Sequence, residues 1–242
     1  YGDSTNGSGN PMALPNPPIA YYPLGTSAWN GNFLAENNAI GDYVFDFSSD
    51  DTINLGNDSN LRITTAMSVS CWIKITDSGQ NTIVGRELGS GTGRDWKLYL
   101  VSGIIYFWCS ANGTASDITV LSSSSTVNDG NWHNLTAVNN GTNQYIYIDG
   151  VLNNSNSGGQ TINASTANNY IGSRNGTGFF FNGSISNVQI FNTALPATDV
   201  ETLYNYGSPI QTLANIPQNS NLKAWYKLDA SEVYNSSTTE WS

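Results

Sequence analysis

The stretch WHNLTAVNNGTNQYIYIDG, residues 132–150, holds two strand-like runs and two turn signals. Asn140-Gly141 separates the two runs, and Asp149-Gly150 ends the second. Both dipeptides favour the positive φ angles that tight hairpin turns require. In the second run Ile146 and Ile148 are two residues apart, which is the period of a strand with one buried face. The stretch therefore predicts successive antiparallel strands that pack on a core.

Strand-like runs of this kind recur along almost the whole chain. They are rich in β-branched and aromatic residues and are separated by Gly and Asn, which is typical of all-β proteins. In one of them the apolar phase is Trp96, Leu98 and Leu100, again with a period of two. The predicted strands are Ile19–Leu24, Tyr43–Phe47, Val69–Ile75, Asn81–Val84, Trp96–Val101, Ile104–Cys109, Asp117–Leu121, Trp132–Val138, Gln144–Asp149, Tyr170–Gly172 and Ile185–Phe191.

Only one helix is predicted. Pro196 suits a first helical turn, Val200, Leu203 and Tyr204 then share one face, and Gly207 ends the segment. Long amphipathic helices elsewhere are not expected, because charged residues make up 11% of the chain, against about 25% in ordinary globular proteins. The sequence therefore predicts short strands, many loops and one short helix.

Composition also excludes two classes of partner. The formal net charge is -10, with 8 Lys and Arg against 18 Asp and Glu. Binding to nucleic acid needs clustered basic residues that displace counterions, and the basic residues here are scattered singly. No apolar run approaches the roughly 20 residues needed to cross a bilayer. We expect neither a nucleic-acid partner nor membrane insertion. Cys71 and Cys109 both lie in apolar runs, and the sequence leaves a disulfide and two free thiols equally open.

The two ends of the chain share a pattern. Alanine, two aromatic residues, one variable residue and leucine follow each other in Ala20–Leu24 and in Ala224–Leu228, and Tyr1-Gly2 matches Tyr206-Gly207 at nearly the same offset. We interpret the pattern as one complete repeat of a tandem array, flanked by parts of its neighbours. The predicted domains are a linker with the tail of a preceding unit at 1–18, a β-sandwich at 19–207, a linker at 208–221, and the opening strand of a following repeat or a trailing segment at 222–242.

Four stretches carry a family resemblance. They are FDFSSDDTI at 45–53, MSVSCWIK at 67–74, the stretch at 132–150, and GSISNVQIFNTAL at 183–195. In this order they resemble the bacterial and phage laminin G-like domains of the concanavalin A-like superfamily, over about residues 19–207. The resemblance implies a jelly roll of two antiparallel sheets. It implies little about function, because this sandwich hosts lectins, adhesins, glycosidases and inert spacers.

Catalysis is not expected. A glycosidase needs two carboxyl groups that face one bond, which enzymes of this fold present from alternate positions of one strand. The single histidine, His133, follows Trp132 in a strand matched by the family, so we expect it to be structural. The glutamates are isolated from each other: Glu36, Glu87, Glu201, Glu232 and Glu240.

The resemblance also implies calcium beside the opening and closing strands. Calcium takes six to eight oxygen ligands, and Asp46, Asp50 and Asp51 could supply carboxylates. The family usually has an acidic residue in the closing strand, where this chain has Ser186 and Asn187. The alternative is that the acidic pair at 50–51 belongs to a solvated turn.

Sugar binding needs planar aromatic rings beside polar side chains that select hydroxyl groups. The residues that alternate with the aliphatic core residues in three of the predicted strands offer this mixture, provided that those strands are neighbours. The helix or loops could instead cover these rings. A rim loop at 174–181 is a second candidate, in which the phenylalanines could also fold back into the core. The candidate binding residues are Asp95, Lys97, Tyr99, Tyr106, Trp108, Tyr145, Tyr147, Arg174, Asn175 and Phe180.

These features favour a non-catalytic binding or adhesion module. The expected partner is a glycan or a surface receptor, and the expected setting is extracellular or the virion surface, in a phage fibre or decoration or in a bacterial surface protein. The alternative is a structural spacer or self-assembly module that contacts neighbouring copies of the same protein and has no sugar affinity.

Overall fold

The computed structural model describes residues 29–30, 35–36, 43–48, 50–89, 91–210, 212–228, 234–235 and 240–241. The predicted strand Ile19–Leu24 and the predicted preceding unit at 1–18 lie outside these ranges. The strands are β1 Trp29–Asn30, β2 Ala35–Glu36, β3 Tyr43–Phe47, β4 Thr52–Gly56, β5 Met67–Ile75, β6 Gln80–Glu87, β7 Arg94–Val101, β8 Ile104–Ser110, β9 Ile118–Thr126, β10 Trp132–Asn139, β11 Gln144–Ile148, β12 Val151–Asn156, β13 Asn169–Ile171, β14 Gly183–Phe191, β15 Leu222–Tyr226, β16 Tyr234–Asn235 and β17 Glu240–Trp241.

The strands form two large antiparallel sheets. Sheet one has the order β1-β4-β13-β6-β7-β8-β9, and sheet two has the order β12-β11-β10-β5-β14-β3-β2 with β15 also paired to β14. Strands β16 and β17 form a separate two-stranded pair. The helix α1 spans Ala197–Tyr204, and short 3₁₀ turns occur at Ser59–Leu61, Ala115–Asp117, Asn205–Gly207, Leu213–Asn215 and Asn219–Asn221. The predicted all-β jelly roll with one short helix is confirmed.

The core lies between the two sheets and follows the predicted phase. Trp96, Leu98 and Leu100 of sheet one are at most 1% exposed. Burying a large apolar side chain contributes roughly 1.5–3 kcal/mol, so each such row is a major source of stability. Cys71 and Cys109 are both fully buried in this core and are free thiols. Burial raises the pKa of each thiol, so both remain protonated and inert.

Of the two predicted tight turns, the structure has one as a two-residue turn and the other as a longer loop. Asp149 and Gly150 have φ angles of 52° and 77° and form a two-residue hairpin turn between β11 and β12, as predicted. The loop at Asn140-Gly141 is longer, because β10 ends at Asn139 and β11 begins at Gln144. There the side-chain oxygen of Asn140 accepts hydrogen bonds from the backbone N–H groups of Thr142 and Asn143. The backbone N–H of Asn140 also donates to the carbonyl oxygen of Asn143 at 3.0 Å, so side-chain and backbone hydrogen bonds together close the loop.

Strand β14 joins three strands of sheet two. One of its edges pairs with β5, while the other pairs with β3 at residues 183–185 and with β15 at residues 188–191. Between the two, Asn187 adopts a φ of 51° within a bulge. The predicted boundary of the sandwich at residue 207 is corrected by this pairing, because β15 is an integral strand. Its origin as the opening strand of a following repeat stays a prediction.

A second apolar cluster covers the outer face of sheet two. Helix α1 begins after Pro196, as predicted, and packs Val200 and Leu203 onto it. The segment 208–221, predicted as a linker, contributes Ile210 and Ile216, which are 7% and 2% exposed. This segment is therefore part of the domain. Among the described residues, no helix has the length and apolar character needed to span a membrane.

Candidate functional site

The candidate binding surface is the outer face of sheet one. Lys97 pairs with Trp108 across β7 and β8, and Tyr99 pairs with Tyr106. Since Trp96, Leu98 and Leu100 point into the core, period-two alternation places these four partners on the opposite, outer face. The predicted phase of these four candidates is confirmed.

Tyr99 and Tyr106 form the open part of this face. Their rings stack with centroids 5.1 Å apart and an interplanar angle of 22°, and both residues are half-buried. Such a pair contributes about 0.5–1.5 kcal/mol beyond its buried area. Burial, followed by the influence of Tyr106 and Glu87, raises the pKa of Tyr99 to about 12. Its hydroxyl group is therefore neutral and can donate a hydrogen bond at neutral pH.

A charged network lies beside the tyrosines. The Lys97 ammonium group is 2.8 Å from Glu87 Oε1, and Arg174 Nε is 3.0 Å from the same oxygen. Lys97 and Glu87 are almost fully buried, whereas the Arg174 side chain is 28% exposed. Burial lowers the pKa of Lys97, and the carboxylate of Glu87 opposes that shift. Separating a buried pair would leave an uncompensated charge, which is strongly destabilising. The three side chains are therefore held close to one another.

Aromatic rings complete the surroundings of Lys97. Its Nζ lies 4.6 Å from the ring centroid of Tyr99, 5.7 Å from that of Trp108 and 5.9 Å from that of Phe179. The cation thus contacts the negative faces of rings as well as a carboxylate. Gly85 makes room for this arrangement, because a Cβ there would lie 3.0 Å from Lys97 Cγ.

The rim of the surface is a tight turn at residues 174–178. Arg174 and Gly178 form an isolated β-bridge, and Asn175 and Gly176 have φ angles of 54° and 68°. The turn borders a depression of about 430 Å³. Phe179 lies in its wall, is 40% exposed, and stacks on the Arg174 guanidinium group at 5.4 Å. The lining residues are Gly89, Arg174, Asn175, Thr177, Gly178 and Phe179.

Several predicted site residues lie elsewhere or are covered. Tyr145 and Tyr147 lie on β11 in sheet two and pack against the cluster under α1. The predicted aromatic platform therefore includes only its residues on β7 and β8. Trp108 is 4% exposed and can support the surface but offers little ring area. At the rim, Phe179 takes the exposed position expected of Phe180, which is partly buried.

Asp95 is also a structural residue. Its carboxylate lies 2.7 Å from Arg86 Nε, and both side chains are 1% exposed. It also accepts hydrogen bonds from Asn163 and from the backbone and hydroxyl groups of Ser165. Asp95 therefore ties a covering loop to sheet one and has no free face for a ligand.

The expected calcium ligands do not converge. Asp51 is buried and accepts hydrogen bonds from the backbone N–H and hydroxyl groups of Ser48, so it closes the turn between β3 and β4. Asp46 is exposed and accepts a hydrogen bond from Ser184, and Asp50 is also exposed. In the part of the chain that the structure describes, no three His, Cys, Asp or Glu side chains form a group able to hold a metal ion. The calcium hypothesis is therefore not supported by the geometry.

His133 is held between two turns. Its Nδ1 is 2.8 Å from Asp149 Oδ2, and its Nε2 is 3.2 Å from Asp129 Oδ1. The other oxygen of Asp149 accepts the backbone N–H of Asn134. The hydrogen bond to Asp149 raises the pKa of His133, and burial opposes it. The imidazole therefore fastens the β11–β12 turn to β10, which agrees with the structural role expected for it.

Three residues of the site were missed by sequence reasoning. In the sequence Glu87 is one isolated glutamate, Phe179 is one of three phenylalanines in the rim loop of which Phe180 is the named candidate, and Gly85 carries no signal. Glu87 could have been found only from its pairing with Lys97, ten positions away in the neighbouring strand. Such a pairing depends on the register of two strands and is absent from local patterns.

Comparisons with known proteins agree with the fold. The laminin G-like model described as the concanavalin A-like lectin/glucanases superfamily matches residues 47–201, which is more than half of the chain. No curated protein sequence matches the chain.

Several solved structures are similar in fold. The receptor binding domain of botulinum neurotoxin C/D mosaic serotype is 21% identical, with a TM-score of 0.55 over 74% of this chain and 45% of that one. The binding domain of botulinum neurotoxin serotype G is 20% identical, with a TM-score of 0.55 over 76% of this chain and 45% of that one. The ligand binding domain of serotype D is 22% identical, with a TM-score of 0.52 over 75% and 47% of the two chains. This chain thus spans less than half of their length, and at these identities the likeness concerns the fold alone.

The raised pKa of His133 generates a prediction about stability. Imidazolium contributes most below its unfolded pKa of about 6.5, and the contribution is lost as pH rises through the higher folded value. We expect His133→Asn to lower the free energy of unfolding by on the order of 1 kcal/mol near pH 5.5, with a smaller difference from wild type at pH 8.5. Urea unfolding at several pH values measures this difference. The control is Lys74→Gln, an exposed cation on adjacent β5, whose effect should not vary with pH. A His133→Asn effect that grows with pH would contradict the structure.

Proposed function

The chain belongs to the concanavalin A-like lectin/glucanases superfamily, and we propose that it is a non-catalytic module that binds a glycan through the outer face of sheet one. The observation that carries this proposal is the half-buried Tyr99–Tyr106 stack beside the depression bordered by Arg174 and Phe179. Sugars are recognised by planar rings together with a few fixed polar groups, and this face brings both together.

The roles within the site follow from exposure. Tyr99, Tyr106 and Phe179 offer ring surface, while Arg174 and Asn175 offer hydrogen-bond donors at the rim. Lys97 and Glu87 are too deeply buried to contact a ligand and act as positioning residues. They hold Arg174 and the rings in place before binding. A site ordered in advance loses less conformational entropy when a ligand arrives.

The charges on this face support a binding role over hydrolysis. Glu87 lies beside the tyrosines and Asp95 lies on the same sheet, but each is buried and paired with a cation. Glycoside hydrolysis needs one carboxyl group that can donate a proton and a second that is free to act as base or nucleophile. Neither Glu87 nor Asp95 is free to approach a sugar ring.

The similar structures suggest which ligands to test first. The binding domain of botulinum neurotoxin DC was solved in complex with SialylT and, separately, with rat synaptotagmin II. The serotype D domain was solved in complex with N-acetylneuraminic acid. These are ligands of those proteins, and they motivate glycans as the first class of ligand for this chain and protein receptors as the second.

The setting in this proposal is a cell or virion surface. The feature behind it is the pattern shared by residues 20–24 and 224–228, which suits a tandem surface protein. Tandem units multiply a weak single-site affinity through effective concentration. The coding sequence on either side of this segment tests the setting, since further copies and an anchor or assembly domain are expected there.

A second candidate function is self-assembly, which a different surface favours. A groove of about 460 Å³ lies between α1 and the β11–β12 turn. Three large apolar side chains around it are unusually exposed, namely Val151 at 71%, Leu152 at 50% and Tyr206 at 95%. Adjacent exposed apolar groups of this size are typical of contact surfaces.

The glycan proposal predicts a selective loss of binding. On a glycan array we expect specific signals for the wild-type chain and roughly tenfold weaker binding for Tyr106→Ala, since losing an aromatic contact of about 1.4 kcal/mol corresponds to that factor. Arg174→Gln should weaken the same signals. The matched control is Tyr145→Ala, a half-buried tyrosine on sheet two, which should bind as wild type. An array without signals, or equal losses for both tyrosine variants, would count against this face.

The self-assembly candidate predicts concentration-dependent oligomers. Light scattering on the wild-type chain should show a mass that rises with concentration, and Leu152→Asp should restore the monomer because a charge in an apolar contact is costly. Val120→Asp, at an apolar position 45% exposed on sheet one, is the matched control. A wild-type chain that stays monomeric at every concentration would remove this candidate.

A further inference from the structure

The edge of β14 offers one well-defined slot, which β15 fills. Residues 188–191 of β14 pair with β15. The core-facing side chains of this segment are Ala224, Tyr226 and Leu228, which are at most 3% exposed and belong to the core between the sheets. Trp225 points the other way, into the cluster under α1. The slot therefore selects alanine, tyrosine and leucine at alternate positions, with an aromatic residue on the outer side.

The chain contains a second segment with the same residues at these alternate positions. Residues 20, 22 and 24 are alanine, tyrosine and leucine, identical to the three core-facing residues of the C-terminal segment. When the two sequences are aligned, Tyr21 corresponds to Trp225 and Pro23 corresponds to Lys227. Because strand side chains alternate with a period of two, a segment with these three residues would present the same side chains to the core if it occupied the slot.

A proline keeps the backbone acceptor that position 227 supplies. The carbonyl oxygen of Lys227 accepts hydrogen bonds from the backbone N–H of Asn187, at 2.8 Å, and from the hydroxyl group of Ser186, at 3.0 Å. A proline at this position keeps its carbonyl oxygen and could accept both.

The two segments differ in one buried hydrogen bond. Trp225 Nε1 donates to Asn187 Oδ1 at 3.0 Å, in a fully buried position. A tyrosine has no indole N–H, and its hydroxyl donor lies at the far end of the ring, so the Asn187 oxygen would lose the donor that Trp225 supplies. An unsatisfied buried acceptor is costly, and the C-terminal segment is therefore the stronger occupant.

We propose that the slot beside β14 accepts either segment, with Ala20–Leu24 as the alternative occupant to Ala224–Leu228. One chain then carries two strands for one slot, and the surplus strand can enter the slot of a second copy of the same unit. Such an exchange would link neighbouring units by backbone hydrogen bonds and core packing. The inference does not depend on glycan binding.

A disulfide trap in the full-length chain tests the proposal. Gln189 is the β14 partner of Trp225, so Gln189→Cys with Tyr21→Cys brings two thiols within bonding distance only when Ala20–Leu24 is seated. Three backgrounds are compared: native β15, Trp225→Phe, and Tyr226→Asp. The native Cys71 and Cys109 are fully buried and do not compete. Mass spectrometry identifies the linked peptides, and a gel separates links within one chain from links between two.

We expect little 21–189 disulfide with native β15 and about tenfold more with Trp225→Phe, the factor that corresponds to one lost buried hydrogen bond. With Tyr226→Asp we expect the disulfide in most molecules and a retained β-sheet circular dichroism signal. Adding Tyr22→Asp should abolish the link. The matched control places the cysteine at Asn16, outside the pattern, and the positive control pairs Gln189→Cys with Trp225→Cys.

Two results would overturn the proposal. One is a 21–189 disulfide that does not increase in the Trp225→Phe background, which keeps a complete apolar strand and is expected to fold. The other is a link that forms equally well from position 16, since that would reflect random collision instead of a seated strand.

Discussion

Two rows of alternate apolar side chains, one from each sheet, have to meet in a single core, and the other features of the molecule depend on that contact. Trp96 and Phe107 of sheet one and Ile73 and Ile185 of sheet two all lie in this core. Because every strand that buries one face must expose the other, the same alternation creates the two outer faces. One outer face is covered by α1 and the segment after it, whereas the other carries the stacked tyrosines.

The face that carries the stacked tyrosines is ordered by contacts that do not involve a ligand. The Lys97–Glu87 pair and the Arg86–Asp95 pair are both buried. Burying charges is expensive, and such pairs persist where geometry and additional hydrogen bonds offset the desolvation of each charge. Here they fix the rim turn through Arg174 and a covering loop through Ser165. The ordering of the face is therefore part of the folding of the sheet, which suits a surface that binds without rearrangement.

Local patterns in the sequence predicted most of the longer strands and the phase of strands such as β7 and β8. They predicted that Lys97 and Tyr99 share a face, because a period of two is visible within one strand. They could not assign strands to sheets, so the grouping of Tyr145 with Tyr99 depended on their strands being neighbours, and the structure places the two strands in different sheets. Strand β12 was not predicted, because its sequence at Val151–Asn156 lacks apolar alternation. Its asparagines instead bond to β9 at the edge of the other sheet, a contact that only the folded chain defines.

Amide hydrogen exchange of the free chain tests most directly whether one shared core holds a rigid outer face. We expect the amides of β7, β8 and β14 to exchange only through global unfolding, and those of the edge strand β12 to exchange much faster. Fast exchange across β7 and β8 while β14 stays protected would contradict the structure, because the tyrosine face would then not be ordered by the core beneath it.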